Sequence, residues 1–485
     1  MSYFQLLKKS LTGLTDIKIG QLLLRQFPKK EEIRVPKINL RSFIEEASKL
    51  GEIKQVKKPL NPRFEVSAVL EKLERANHYP ALLFKNVEGS DMPVLSNLFA
   101  TRRRLALALN CDENSLNEVY RKGEANLTKP VLIPKGPVQE MIINKEEINL
   151  YDFPLLTHNE KDAGPYITMG AMVIKDPDTG IRNIGIYRNM LHGKNKLGIH
   201  MAEVSHINYI YEKYCQRGKR MPVAITLGHH PAFYLGILSF VPLGVDEYEV
   251  VGGITGQPLE LVKCQTVDLE VPAEAEIVLE GYVQPGEERL EAPFGDYTTL
   301  YGGELLNPVV TVETITRRKD AIYLDCFSGH RDLMLLGGTP RLSTIYKTIQ
   351  AACSTVIDVF MPISGCCRMI CYVKIKKRHE GEAKNVIAAV IAADPFVKYV
   401  VVVDEDVNIF DEEAVIRAIA TRLIPKDNVF VIPNAKGSPL DPVAVDHFLV
   451  TKVGIDATKP LIGFPEGVKV PGSEEVDLDG LLSDL

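Results

Sequence analysis

Helical and strand-like periodicities alternate at both ends of this chain, while its middle third is made of short β-like runs broken by Gly, Pro and Asp. Together these patterns predict an α/β + β architecture. Three units are expected: an N-terminal α/β domain over residues 1–128, a central β domain over 129–325, and a C-terminal α/β domain with a tail over 326–485. The first boundary rests on LTKPVLIPKGPVQE, where proline content rises and periodicity fades.

In LRSFIEEASKLGEI, residues Leu40, Phe43, Ile44, Ala47 and Leu50 keep helical spacing, and Gly51 stands where a C-cap glycine belongs. A second helix is expected to end near Ala76, followed by the apolar runs ALLFKNV and PVLSNLF and a basic helix opening TRRRLALAL. The middle third contributes ITMGAMVIK, NIGIYRN, PVAITLG, LELVKC, EIVLEGYV and PVVTVETI. Closure into a β-barrel or sandwich would remove the open edges of so many short strands. One amphipathic helix, SHINYIYEKY, is expected to interrupt them, and VVGGITG and MLLGGTPR read as glycine turns without a Walker lysine. The last third returns to α/β: MICYVKIKK, a helix through AKNVIAAVIAA, KYVVVVDEDV, and a helix EEAVIRAIATRL. The Pro-, Gly- and acid-rich tail after Pro460 reads as an extended arm.

Composition narrows the function classes. The 485 residues carry 57 Lys and Arg against 63 Asp and Glu, a net charge of -6, so no global positive field attracts nucleic acid or anionic lipid. Eight cysteines without a CxxC pair suit a reducing compartment and argue against a zinc ribbon. The start MSYFQLLKKSL has lysines where a signal peptide needs an apolar core, and VIAAVIAADPFVKYVVVV is interrupted by Asp394, Pro395 and Lys398. A cytoplasmic chain without a membrane span is the expectation.

Three local patterns carry chemistry. Glu291-Ala292-Pro293-Phe294-Gly295-Asp296 sets two carboxylates five residues apart across a Pro and a Gly, an arrangement that suits proton transfer, although a solvated acidic turn has the same signature. Asn183 and Arg188 flank NIGIYR; the odd offset puts them on opposite sides of a regular strand, so a shared site requires a bulge or a long ligand. Ser205 and His206 open a helix, where an imidazole, an amide oxygen, phosphate oxygens and a carboxylate from Asp246, Glu247 or Glu249 would suit Mn or Mg better than zinc. The plain alternative is a capping histidine. His229-His230, Cys366-Cys367 and Asp404-Glu405-Asp406 read as packed loop residues or a solvated turn.

Taken in order, NIGIYR, His206, DEYEVVGG with ELVKC, EAPFGDY and KYVVVVDEDV resemble the UbiD family of prenylated-flavin decarboxylases, near its 3-octaprenyl-4-hydroxybenzoate and aromatic acid branch. The resemblance spans nearly the whole chain. It implies a central split β-barrel of the flavin-reductase type holding prenylated FMN, and a C-terminal domain that makes a homo-oligomer, dimer or hexamer. It implies a flavoprotein with manganese, and with a monovalent cation such as K+, held by Asn183, His206 and Glu247. By motif position Arg188, Glu291 and Asp296 are the catalytic set, with Asp296, in place of Glu, as proton donor. Ile186, Tyr187, Arg188, His200, Met201, Ala202 and Ser205 match the cofactor-lining segments, and Thr168 and Lys398 match further cofactor contacts.

The implied activity is that of a carboxy-lyase: reversible, non-oxidative decarboxylation of an aromatic, hydroxybenzoate-like, or α,β-unsaturated acid through a covalent substrate adduct with prenylated FMN. Aromatic acid metabolism is preferred on the Asp at the donor position and the GKNKLG stretch. His229, His230 and the segment from His330 to Gly338 are expected to carry part of the specificity. Net carboxylation, or a flavin-binding subunit of a larger carboxylase assembly, are the alternatives. A flavin prenyltransferase is the implied cofactor supplier.

Overall fold

The computed structural model describes residues 38–202, 205–468, 470–472 and 476–481. The stretch MSYFQLLKKSL, read as lacking a signal peptide, falls outside these residues. From Asn39 onward the chain forms one unit.

The first helix, Leu40–Lys49, starts at a capping box in which Asn39 accepts from Ser42 N and the Ser42 hydroxyl is the acceptor for Asn39 N. It ends before Gly51, whose φ of 75° is the left-handed value a helix terminus favours. Leu40, Phe43 and Ala47 point inward at helical spacing. This helix and Glu65–Arg75 accompany a four-stranded sheet ordered Ile53–Val56, Ala81–Phe84, Val94–Ser96 and Tyr323–Leu324. The fourth strand arrives from more than two hundred residues away, and with it the backbone of Asp325 is drawn onto the N-terminal sheet through Asp325 N–H to Leu95 O at 2.9 Å.

The central sheet has nine strands, all antiparallel, in the order Tyr166–Ile167, Asn189–Gly193, Lys196–Gly198, Leu305–Arg317, Ile277–Glu291, Met221–Leu227, Ala171–Lys175 and Arg182–Ile186, with Met141–Asn144 also pairing Leu305–Arg317. Successive side chains go to opposite faces: Met172, Ile174, Val223 and Ile225 enter one core, Ala171, Val173 and Ala224 the other. Both faces are therefore covered. Among the described residues the sheet's two ends stay unjoined, so the expected closure into a full barrel or sandwich gives way to an open half-barrel. LELVKC does not join it; Glu260–Lys263 pairs instead with Glu270–Pro272 and Val131–Leu132.

Among the described residues three helices, not one, interrupt the strands. His206–Gln216 was legible from its amphipathic face; Pro231–Ile237 is buried at all seven positions and has no polar face to betray it. The third, Glu247–Thr255, contains the VVGGIT glycines read as a turn, and MLLGGTPR likewise lies inside helix Arg331–Ala352. These glycines serve packing: a Cβ on Gly253 would sit 2.4 Å from the carbonyl oxygens of Gly123 and Asn126.

The C-terminal sheet runs Val356–Phe360, Ile370–Ile375, Tyr399–Asp404, Leu449–Asp456, Val429–Lys436, with the three middle strands parallel and the helices Glu382–Ala393 and Glu412–Arg422 beside them. Continuous burial of Val400 to Val403 matches a parallel strand covered on both faces. Asp404 and Asp406 are tied to Arg422 at 2.8 and 3.0 Å. No helix among the described residues is long and apolar enough to cross a membrane.

Candidate active site

Strand Arg182–Ile186 ends two residues before Arg188, so Arg188 sits in the turn to Asn189–Gly193 and escapes the strand's alternation. That resolves the odd offset: Asn183 and Arg188 serve two separate clusters. On the other side, Glu291 is the last residue of Ile277–Glu291, and Asp296 follows the two-residue strand Phe294–Gly295. The turn between the two acids carries Ala292 at φ 78° and a cis Ala292–Pro293 bond.

The two carboxylates converge on one guanidinium. Arg188 donates from Nε to Glu291 Oε1 at 2.8 Å, from Nη2 to Glu291 Oε2 at 3.0 Å, and from Nη1 to Asp296 Oδ2 at 2.8 Å. Asn307 Nδ2 donates to Glu291 Oε2 at 3.2 Å, His200 Nδ1 lies 3.4 Å from the same oxygen, and Tyr297 N–H donates to Asp296 Oδ1 at 2.7 Å. The Glu291 side chain is 0% exposed and that of Asp296 16%. Burial alone would raise the Glu291 pKa, but the hydrogen bonds and charges of His200 and Arg188 outweigh it and hold the value down at about 2. Arg188 is shifted the other way: burial disfavours its charge, and the Glu291 and Asp296 carboxylates more than restore it. The Phe294 ring covers the guanidinium at 4.8 Å, and Tyr166 stands 4.4 Å from Phe294.

A cavity of about 280 Å³ opens in front of this triad. Thr168, Ile186, Tyr187, Arg188, His200, Ala202, Phe294, Asp296, Cys326, Ser328 and Leu333 line it. Seven of these were singled out individually from the sequence, and Leu333 lies in the segment from His330 to Gly338 expected to carry part of the specificity. Phe294, Cys326 and Ser328 were not singled out. Phe294 lies within the EAPFGDY motif, whereas Cys326 and Ser328 come from the segment after the long hairpin and carry no local signal. Behind Thr168 is a buried polar network that the sequence did not suggest. Asp325 accepts from Thr168 Oγ1 at 2.9 Å and Ser96 Oγ at 2.7 Å, and lies 3.1 Å from His158 Nε2. Burial disfavours the charged imidazole, yet the Asp325 carboxylate raises the His158 pKa overall.

The second cluster lies on the edge strand. Its outward Ile184 N–H donates to Glu247 Oε2 at 2.9 Å, Asn183 Nδ2 donates to Glu247 Oε1 at 2.8 Å, and His206 Nδ1 lies 3.5 Å from the same amide nitrogen. Glu247 is fixed as the first residue of its helix, capped by Asp246, which Arg182 grips at 2.9 Å through Nε. Burial pushes the Glu247 carboxyl up to about 8 and the His206 imidazole down. Asn183 Oδ1 is buried without a hydrogen-bond partner. Exchanging the two amide atoms would aim that oxygen between the carboxylate and the imidazole, giving an O, O, N set that fits a hard divalent cation. Among the described residues no group of three His, Cys, Asp or Glu could hold a metal by itself, so the amide is integral to this candidate.

The remaining sequence candidates are dispersed. Ser205 is the N-cap of His206–Gln216, accepting from Asn208 N and donating to Ala202 O at 2.7 Å. Met201 is buried beside it in the core. Lys398 does not line the cavity; its ammonium pairs with Asp441 at 2.9 Å. His229 and His230 are buried against Phe233 and Phe43 respectively, where burial drops both imidazoles to about 3.

Family models described as the N-terminal, Rift-related and C-terminal domains of 3-octaprenyl-4-hydroxybenzoate carboxy-lyase match residues 44–122, 130–331 and 334–457. The chain is 36% identical over 436 residues, 90% of its length and 100% of the relative's, to anhydromevalonate phosphate decarboxylase of Methanothermobacter thermautotrophicus. Among solved structures it is similar to the UbiD-class enzyme HmfF of Pelotomaculum thermopropionicum in complex with FMN, with 37% identity, a TM-score of 0.87, and coverage of 92% of this chain and 100% of that one. An evolved dimeric form of HmfF in complex with prFMN gives 36% identity and a TM-score of 0.85 over 92% of this chain and 100% of that one. The chain belongs to the UbiD family, and it is a carboxy-lyase.

Proposed function

We propose that this protein is a prenylated-FMN-dependent decarboxylase of an α,β-unsaturated acid, with Asp296 as proton donor and Arg188 and Glu291 as its electrostatic partners. The observation that carries this reading is the single guanidinium shared by two carboxylates at the wall of a cavity with apolar sides. The division into domains 1–128, 129–325 and 326–485 belongs to the same reading, with the half-barrel as the cofactor-bearing unit.

Loss of carbon dioxide from an sp2 carbon leaves an electron pair that no amino-acid side chain delocalises; prenylated FMN supplies the electron sink when bound. The residues present fit such a group: Ile186, Tyr187, Ala202 and Leu333 give the cavity largely apolar walls, and Asn183, His206 and Glu247 would hold Mn2+ beside a phosphate. Arg188 binds Glu291 through two nitrogens and Asp296 through one. An entering substrate carboxylate competes for Nη1, and the freed Asp296 carboxyl can then hold a proton and deliver it to the carbon left by carbon dioxide. Glu291, buried and ionised, keeps the guanidinium in place throughout.

The relative's name specifies anhydromevalonate phosphate, a dehydrated acid bearing a phosphate ester. That supports a phosphorylated unsaturated acid over the hydroxybenzoate-like substrate expected from the sequence. The carboxylation direction shares the same transition state and the same residues. The test is mass analysis of the small molecule released on denaturing protein co-expressed with a flavin prenyltransferase: prenylated FMN is expected, and recovery of folded protein with no flavin contradicts the reading.

A further inference from the structure

Three arginines are buried among the described residues: Arg104, Arg318 and Arg368. Arg104 meets Glu52 at 3.0 Å and two backbone carbonyls, and Arg318 meets Glu274 at 2.6 Å. Arg368 is 8% exposed and has no carboxylate; its one side-chain hydrogen bond is from Nη1 to Met334 O at a long 3.4 Å. A buried cation is costly unless an anion or a set of good acceptors meets it. Its neighbour Arg341 shows the contrast, pinned to Asp394 at 2.5 Å between the rings of Phe240 and Phe396.

The backbone is shaped to place this guanidinium. Cys366 and Cys367 precede it at φ 56° and 50°, two consecutive side-chain-bearing residues in the left-handed region. The helix opposite makes room: a Cβ on Gly337 would lie 2.0 Å from Arg368 Nη2, and one on Gly338 would lie 2.7 Å from Cys367 Cβ. The guanidinium rests on the ring of Tyr297 at 4.7 Å, one residue from Asp296, whose charge acts on it. Leu333, one residue before Met334, lines the cavity. So the fold holds a desolvated cation, without a carboxylate partner among the described residues, beside the donor end of the site.

Building on the decarboxylase reading, we propose that Arg368 is a specificity residue that binds an anionic substituent of the substrate remote from the leaving carboxylate, a phosphate monoester or a second carboxylate. An oxyanion supplies the paired acceptors that the guanidinium fork lacks among the described residues.

The test is isothermal titration of the prenylated-FMN-loaded enzyme with saturated five-carbon acids, which lack the conjugated double bond and so bind without turning over. One carries a terminal phosphate, one a terminal carboxylate, one a terminal hydroxyl. The phosphate or carboxylate acid is expected to bind about 10- to 100-fold more tightly than the hydroxyl acid, and whichever does so identifies the anion. Arg368→Met removes the preference while leaving hydroxyl-acid binding unchanged, and Arg368→Lys keeps part of it. Should Arg368→Met fail to fold, Gly337→Ala, which displaces the guanidinium but keeps its charge, is expected to weaken binding of the anionic acids alone. Equal binding of all three acids by the wild type, or a preference that survives Arg368→Met or Gly337→Ala, overturns the proposal. An enzyme that shows the Arg368-dependent preference yet releases no carbon dioxide from the corresponding unsaturated acids refutes the decarboxylase reading and leaves this anion site standing.

Discussion

Glu291 accepts two hydrogen bonds from Arg188, at 2.8 and 3.0 Å, from a position with no exposed side-chain surface. Asp296 takes only one from Arg188, at 2.8 Å, and keeps 16% of its side chain open toward the cavity. In the proposed mechanism this asymmetry divides the labour: Glu291, held by Arg188 through two nitrogens, is the fixed counter-charge, and Asp296, held through one, is the acid that changes partner and protonation. Replacing Asp296 with Asn keeps the Arg188 contact and removes the proton. Turnover is expected to drop by roughly 10² to 10⁴ with the melting temperature within a few degrees of wild type. Near-full turnover by Asp296→Asn would remove Asp296 from the role.

Glu291 also makes a pH-dependent contribution to stability. Its folded pKa of about 2 lies below the unfolded value of about 4.3, so the folded state binds fewer protons. The resulting stabilisation, on the order of 3 kcal/mol, is fully present above about pH 4.3 and is lost as pH falls toward 2. Urea unfolding of wild type and Glu291→Gln at pH 7 and pH 3 is expected to show the wild-type advantage shrinking by about half at pH 3. A constant advantage across that window would mean the carboxylate is not held down by its partners.

For the edge-strand cluster, the expectation concerns metal content. At the proposed metal site, Asn183→Ala removes the amide and Glu247→Gln replaces the carboxylate by a neutral amide. The wild type is expected to bind manganese and to be thermally stabilised by it; in both variants manganese measured by elemental analysis of the loaded enzyme is expected to fall to background and the stabilisation to be lost. That stabilisation is about 2.7 kcal/mol at a hundred times the dissociation constant. Full manganese occupancy in Asn183→Ala would exclude the amide as a ligand.

The network behind Thr168 is predicted to be a stability element. Asp325→Ala strands a buried, charge-favoured His158 and removes the acceptor for Ser96 and Thr168. A cost of about 3 to 5 kcal/mol is expected, against about 1 kcal/mol for Ser96→Ala. Thermal unfolding checks both; equal, small effects would show that the pair is not charged in the folded chain.

How much of this was legible in the sequence depends on whether the cause was local. Helix Leu40–Lys49, the amphipathic His206–Gln216 and the valine run of Tyr399–Asp404 are set by periodicity, and each was found. The meeting of Arg188, Glu291 and Asp296 was legible only through the motif order, because strand ends and a long hairpin bring them together. Gly252, Gly253, Gly337 and Gly338 misled: in isolation paired glycines favour turns, but here helices keep them so that neighbouring backbone and Arg368 can approach. Pro231–Ile237 has no polar face, and the strand Tyr323–Leu324 pairs with Val94–Ser96 only through tertiary return of the chain. The His158–Asp325 pair and the lack of a carboxylate partner for Arg368 among the described residues are properties of the assembled core, invisible to any window of sequence.

Decarboxylation at the Arg188–Asp296 wall of the cavity must release carbon dioxide from the substrate. The most direct measurement is carbon dioxide release, per enzyme and per turnover, by protein co-expressed with a flavin prenyltransferase and supplied with a phosphorylated α,β-unsaturated acid. Sustained, stoichiometric release that Asp296→Asn reduces by at least about 10² is the predicted result. Release that is absent from enzyme carrying prenylated FMN and manganese, across both phosphorylated and aromatic acids, would rule out decarboxylation at this wall.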